Sequence, residues 1–181
     1  MRKRSLIPEE LQARAAKVKL LIMDVDGVLT DGRIFIRDNG EEIKSFHTLD
    51  GHGLKMLHAA GVRTAVITGR DAPSVAVRVQ QLGISYYFKG ISDKLAAYGE
   101  LLAQAGVAED ECAYIGDDVV DLPVMLRCGL SAAVPEAHWL VRKHAGYITQ
   151  SGAGCGAVRE LCELIMQAQG TLAAALESYV K

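Results

Sequence analysis

The stretch "LLIMDVDGVLTDG", residues 20–32, decides how the rest of the chain is read. Leu20, Leu21, Ile22 and Met23 run directly into Asp24, and Asp26 follows two residues later, ahead of Gly27. A short run that is apolar at every position, not at every second one, suits a strand buried on both faces. Such strands belong to parallel sheets, and parallel sheets bind their ligands beyond the carboxyl ends of the strands. Two carboxylates at that end therefore mark a candidate site.

The rest of the chain keeps the rhythm. Strands are expected at 62–67, 86–88, 112–115, 130–134 and 147–149, besides 20–23. Helices are expected at 52–60, 71–82, 94–105, 122–128, 135–144 and 157–169. The last carries Val158, Leu161, Cys162 and Ile165, the i, i+3, i+4, i+7 spacing of one helix face. Pro73 sits at the start of the second helix and Gly83 just past its end. Alternating strands and helices imply an α/β fold, a Rossmann-like parallel sheet with helices on both faces. No repeat or Pro/Ser-rich linker interrupts it, so residues 1–181 read as one domain.

One insertion breaks the pattern. "GRIFIRDNGEEIKSF", residues 32–46, alternates Ile34 and Ile36 with other residues, turns at Asn39-Gly40, and continues through Ile43 and Phe46. It reads as a β-hairpin. A lone hairpin is marginal in water, so its apolar residues need cover. The domain itself or another subunit could supply that cover, and spacing alone does not choose.

Composition narrows the function classes. Net charge is −2, which speaks against nucleic acid or an anionic membrane as partner. The four cysteines, Cys112, Cys128, Cys155 and Cys162, include no C-x-x-C pair, so they read as buried reduced thiols of a cytoplasmic protein. The basic-then-acidic start "MRKRSLIPEELQARAAKVK" lacks the apolar centre of a signal peptide, and no window is long and apolar enough to span a membrane.

Further acids stand at other strand ends. Strand 62–67 leads into Thr68, Gly69 and Arg70, and strand 112–115 into "GDDVVD" with Asp117, Asp118 and Asp121. Lys94 opens the helix after strand 86–88. Parallel neighbours would bring these groups to one rim. Carboxylates crowded in a low dielectric repel, and a cation relieves them. An all-oxygen donor set suits a hard ion, Mg²⁺ before Zn²⁺, and Mg²⁺ typically bridges carboxylates to a phosphate. Asp24 could then attack phosphorus as a nucleophile, with Lys94 steadying the charge and Thr68 hydrogen-bonding a phosphoryl oxygen. Asp26 could protonate the leaving alcohol and later activate water.

The set "DVDGVLT", "TGR", Lys94 and "GDDVVD" resembles the four motifs of the haloacid dehalogenase superfamily of phosphohydrolases. The resemblance implies Asp24 as nucleophile, Asp26 as acid/base, Thr68 as phosphate-binding hydroxyl and Lys94 as the third-motif lysine. It implies Mg²⁺ held by Asp24, the backbone carbonyl of Asp26 and Asp117, supported by Asp118 and Asp121. Residues 27–67 and 69–93 already hold expected elements, so neither gap has room for a cap domain, and the chain is expected to be capless.

The hairpin, "HTLDGHGLKML", "YIGDDVVDLPVM" and "GAGCGAVRE" extend the likeness over most of the chain. They are similar to the 3-deoxy-D-manno-octulosonate (Kdo) 8-phosphate phosphatase family of lipopolysaccharide biosynthesis. That resemblance implies a homotetramer joined through the hairpins and a C-terminal tail, about 170–181, flexible enough to reach a neighbour's site. It also implies substrate contacts from Gly69, Arg70, Arg78, His47, Thr48, Leu49, Asp50, Gly51 and Lys55. Arg70 would set the eight-carbon branch apart from relatives that cleave a nine-carbon keto-sugar acid 9-phosphate, since a guanidinium suits the substrate carboxylate. Without the resemblance, Arg70 and Arg78 read as a solvated helix face. A receiver-like module that keeps its phosphoryl group is a third possibility. It fits less well, because its nucleophile ends the third strand and Asp26 favours turnover.

Overall fold

The structure, a computed structural model, describes residues 8–177, 179 and 180. In chain order the elements begin with α1 (Glu9–Ala16), β1 (Leu20–Met23), β2 (Phe35–Ile36), β3 (Glu42–Ile43), α2 (Thr48–Ala59) and β4 (Arg63–Ile67). Then come α3 (Pro73–Leu82), β5 (Tyr86–Phe88), α4 (Lys94–Ala105), β6 (Cys112–Gly116) and α5 (Leu122–Met125). β7 (Leu130–Ala133), α6 (Trp139–His144), β8 (Tyr147–Ile148), α7 (Ala157–Ala168) and α8 (Leu172–Glu177) complete the chain.

Six strands form one parallel sheet in the order β5-β4-β1-β6-β7-β8. All four residues of β1 are buried, as their unbroken apolarity requires. From β1 the chain moves outward to β4 and β5, then returns across β1 to β6 and continues to β7 and β8. The connections therefore diverge between β1 and β6, the topological switch point where such sheets open a crevice. α1 and α2 both pack against α7, and α5 packs against α4 and α6. The expected α/β architecture is the one found.

Several elements differ from the sequence expectation by one or two residues, α5 ends three residues early, and α6 begins at Trp139, four residues after its expected start. α2 begins at Thr48, four residues before the expected start, although Gly51 and Gly53 are poor helix formers. Both glycines are there for close approach. A Cβ on Gly51 would lie 2.5 Å from Nη2 of Arg78, and one on Gly53 would lie 3.0 Å from Cα of Arg159 in α7. α1 was not anticipated. It buries Ala15 against α7 while most of its residues stay exposed, so its periodicity is faint. The expected flexible tail is partly helical: α8 buries Leu172, and Ala175 and Leu176 pack on the core. Residues 178 and 181 of that tail, and residues 1–7 of the expected non-signal start, lie outside the described residues.

The hairpin is present but short. Phe35 pairs with Ile43 and Ile36 with Glu42, while Asn39 Oδ1 accepts a hydrogen bond from Glu41 N across the turn. Ile34, Phe35, Ile36 and Ile43 are all exposed, so the other described residues leave them uncovered.

Of the cysteines, Cys112, Cys128 and Cys162 are buried and unpaired as expected. Cys155 is exposed, because its loop runs over the surface before α7.

Candidate active site

β1 and β6 end side by side, with Asp24 N donating to Ile115 O at 3.1 Å. Asp24 is thereby fixed at the switch point and is 7% exposed. Asp117 follows β6 immediately. Thr68 follows β4, where its N–H bonds Phe88 O of β5 at 2.9 Å and its Oγ1 accepts from Arg70 N at 3.3 Å. Lys94 is the first residue of α4, whose start is capped by Asp93 accepting from Leu95 N and Ala96 N. That cap turns the buried Lys94 toward the sheet end, where its Nζ meets Asp24 Oδ1 at 3.1 Å and Asp121 Oδ1 at 2.7 Å. Gly27, at φ +86°, keeps the opposite wall thin: a Cβ there would fall 2.1 Å from Asp117 Oδ2.

Asp121 organises this floor. It is fully buried, and Oδ1 accepts from Lys94 and, at 2.6 Å, from the Tyr114 hydroxyl. Its Oδ2 accepts from Asp117 N at 3.0 Å and Asp118 N at 3.2 Å. Both oxygens are thus engaged in holding the "GDD" turn and Lys94. Carboxylate oxygens of Asp24, Asp117 and Asp121 lie within 4.8 Å of one another. With Asp121 so engaged, Asp24 and Asp117 are the carboxylates left to face a cation. Asp118 is exposed, and its Oδ1 caps the following turn by accepting from Val119 N at 2.7 Å. Its support is to the loop.

The electrostatics follow from burial. Desolvation pushes the Asp24 carboxyl up to about 6, with Lys94 partly offsetting and Asp121 adding to the shift. Desolvation, reinforced by Asp24, Asp121 and Asp118, pushes Asp117 up to about 7. Burial pulls the Lys94 ammonium down, but Asp24 and Asp121 outweigh it and leave its pKa raised. One ammonium does not neutralise three buried carboxyls. The residues fit a divalent cation: their donors are all oxygens, and the upward shifts of Asp24 and Asp117 are what a cation would reverse.

Asp24, Asp26, Thr68, Gly69, Arg70, Ser92 and Lys94 line a cavity of about 210 Å³ over this floor. A second cavity, of about 570 Å³, lies between the hairpin and the start of α3 and shares Arg70 with the first. Larger or comparable hollows elsewhere, such as that beneath Lys17 and Gln169, lie far from the acid cluster's residues and carry none of them.

The sequence expectations are not all brought together. Arg70 Nη1 pairs with Glu42 at 2.7 Å, and its Nε stands 3.8 Å from Asp26 Oδ2. Arg78 donates to His47 O at 3.4 Å and lies over the Phe46 ring, while its buried Nε has no hydrogen-bond partner among the described residues. The expected contact at Asp50 is corrected: its buried carboxylate accepts from Gly156 N and Arg159 N and so caps the start of α7. Gly51 is likewise a packing residue, as described above. His47 caps α2, accepting from Leu49 N at 3.2 Å. His47, the exposed Thr48 and Leu49, and the exposed Lys55 line neither cavity.

Three participants escaped the sequence reading. Lys44, its side chain 1% exposed, pairs with Asp26 Oδ1, and Glu42 joins the same cluster. Their i, i+2 spacing puts them on one face of the hairpin arm but does not say that this face turns inward. Tyr114 in an apolar strand signalled that its hydroxyl needed a partner.

Comparison with known proteins agrees with this geometry. The haloacid dehalogenase-like hydrolase family profile matches residues 37–129. The chain belongs to that family. It is 45% identical over 92% of its length to the 3-deoxy-D-manno-octulosonate 8-phosphate phosphatase KdsC of Escherichia coli K12, covering 88% of that protein. With the Yersinia pestis KdsC the identity is 46%, covering 92% of this chain and 89% of the relative. Among solved structures, the Moraxella catarrhalis phosphatase was crystallised with magnesium, phosphate and KDO. It superposes with a TM-score of 0.93 at 40% identity, over 96% of this chain and 99% of that one. The cobalt-bound Haemophilus influenzae enzyme gives 0.88 at 43%, over 93% and 99%.

Proposed function

We propose that this chain is a Mg²⁺-dependent phosphoric monoester hydrolase that cleaves Kdo 8-phosphate to Kdo and inorganic phosphate. The observation that carries the reading is the convergence of Asp24, Thr68, Lys94 and Asp117 at the β1/β6 switch point. The curated relatives, alike over nearly the whole chain, supply the substrate.

In this mechanism the Asp24 carboxylate attacks phosphorus, and the bond from phosphorus to the sugar oxygen breaks. Asp26 gives that oxygen its proton, since an alkoxide is a poor leaving group. The resulting aspartyl-phosphate on Asp24 is hydrolysed when Asp26 takes a proton from water and the water oxygen attacks phosphorus. Lys94 and Thr68 balance charge on the moving phosphoryl group. Asp24, the Asp26 carbonyl and Asp117 would hold Mg²⁺, which supplies charge neutralisation so that one anion can approach another. Asp121 and Tyr114 keep Lys94 and the Asp117 turn in place. The smaller cavity falls below the roughly 300–1,000 Å³ of small-molecule pockets, so it suits the phosphoryl end, with the sugar acid in the larger cavity beside Arg70.

The reading takes residues 1–181 as one capless cytoplasmic domain. Among the described residues no helix is long and apolar enough to cross a membrane. It also takes the exposed Ile34, Phe35, Ile36 and Ile43 as the joint of a homotetramer. On that assembly His47, Thr48, Leu49, Arg78 and Lys55 would contribute from between subunits.

The test is a panel of sugar phosphates assayed with Mg²⁺ and again in excess EDTA. The expected result is the highest kcat/KM on Kdo 8-phosphate, loss in chelator and recovery on adding Mg²⁺. Preference for the nine-carbon 9-phosphate, or full activity in chelator, would overturn it.

A further inference from the structure

Lys44 is a nearly fully buried ammonium outside the four motifs. Burying a charge is costly unless it is paired. Its partners are Asp26 Oδ1, in direct contact, and Glu42 Oε2 at 3.6 Å. On the hairpin arm that carries it, Ile43 and Ser45 on either side of Lys44 are open to solvent, and Glu42 is half-buried. A lysine turned inward from an exposed arm onto the proposed acid/base calls for a reason beyond hairpin stability.

The contacts define one. An ammonium has donors and no lone pair, so the oxygen it binds must accept. Asp26 Oδ1 is that oxygen, while Oδ2 stands 3.8 Å from the nearest guanidinium nitrogen of Arg70, beyond hydrogen-bond range. Oδ2 is the oxygen left to meet the substrate, in a carboxylate that itself lines the smaller cavity. Glu42 bridges the two cations, with Arg70 at 2.7 Å, so hairpin base, second motif and Asp26 form one ionic cluster.

We propose that Lys44 is a positioning residue for Asp26: it holds one carboxylate oxygen, aims the other at the leaving-group oxygen, and so ties the seating of the hairpin to proton transfer. The proposal rests on the phosphatase reading above and on Asp26 as its acid.

A positioned acid matters in proportion to how badly the leaving group needs a proton. The experiment therefore compares kcat/KM on Kdo 8-phosphate with kcat/KM on p-nitrophenyl phosphate, whose phenolate leaves without help. This constant ends at leaving-group departure, so the later hydrolysis of the phospho-enzyme does not enter. Proteins are wild type, Lys44→Met, Lys44→Gln, Lys44→Arg and Asp26→Asn, all with saturating Mg²⁺ and checked for folding by thermal melting. Positioned general acids contribute about 10²–10⁴-fold. Lys44→Met should lose about 10²-fold on the sugar ester and at least about tenfold less on the aryl ester, with Lys44→Arg recovering part of the difference. Asp26→Asn should show the same split, larger. Equal losses on both esters in Lys44→Met, with the split kept in Asp26→Asn, would overturn the proposal and leave the phosphatase reading intact. No split in Asp26→Asn would instead remove Asp26 as acid. If Lys44→Met does not fold, the polar but uncharged Lys44→Gln is read by the same criterion.

Discussion

The floor of the site and the hairpin beside it are built on opposite principles. The floor is carried by β1, β6 and the start of α4. Asp24, Lys94, Tyr114 and Asp121 are each less than a tenth exposed and hold one another by contacts of 2.6–3.1 Å. The hairpin has two residue pairs of sheet, exposes Phe35 and Ile36, and is tied to the site by the Lys44–Asp26 and Arg70–Glu42 ion pairs. A buried, cross-braced floor suits phosphoryl transfer, where groups must be placed before reaction. A hairpin without a core of its own depends on contacts outside itself for its place.

The sharpest way to break this division is at the floor. Asp24→Asn should lower phosphate release by about 10⁴-fold or more, as loss of a nucleophile does, while the protein stays folded. Near-normal release in a steady-state phosphate assay would remove Asp24 from the chemistry. Next comes the boundary between the regions. Arg70→Glu should lose about 10²-fold on Kdo 8-phosphate and distinctly less on p-nitrophenyl phosphate, because a guanidinium–carboxylate contact is at stake only with the sugar acid. Equal losses would mean that Arg70 serves the phosphoryl site.

A stability measurement sharpens the contrast further. In metal-free protein the Asp117 carboxyl titrates near 7 folded, against an ordinary value of 3.8. The folded state therefore holds more protons between about pH 4 and 7. Its stability is fully present below about pH 4 and is lost as pH rises through 7. Asp117→Asn should flatten that fall by on the order of 2 kcal/mol, the share left after allowing for its coupling to Asp24. Mg²⁺ should reverse the fall in the wild type. Denaturant melts in EDTA across that range check both, and an unchanged slope in the variant would contradict the stated cause. The smallest chemical effect is expected at the hairpin. Ile36→Ser should change p-nitrophenyl phosphate turnover per chain by less than about twofold, as surface changes usually do. In sedimentation it should shift the protein toward smaller species; an unmoved distribution would mean that the hairpin is not the joint.

The same division explains what the sequence disclosed. β1, β5 and α4 were legible to the residue: β1 because complete burial leaves an unbroken apolar run, β5 as a short aromatic run that is half-buried, and α4 because Gly106 ends it. Asp24, Thr68, Lys94 and Asp117 were legible as acids and partners at element ends. α2 was read short because Gly51 and Gly53 look like breakers until Arg78 and Arg159 are seen against them. The capping role of Asp50 was missed for a related reason: a helix cap 106 residues away along the chain leaves no local trace. Lys44 and Glu42 were hidden in a hairpin whose charges look solvated, since nothing in the spacing says which face turns inward.

The most direct test of the central claim is to look for the phosphoryl group on Asp24. Enzyme mixed with Mg²⁺ and Kdo 8-phosphate is quenched in acid within a turnover, reduced with borohydride, and its peptides are weighed. The account predicts conversion of residue 24, and of no other aspartate, to homoserine, the mark of a trapped acyl phosphate. Full substrate turnover with Asp24 unmodified at every quench time would contradict it.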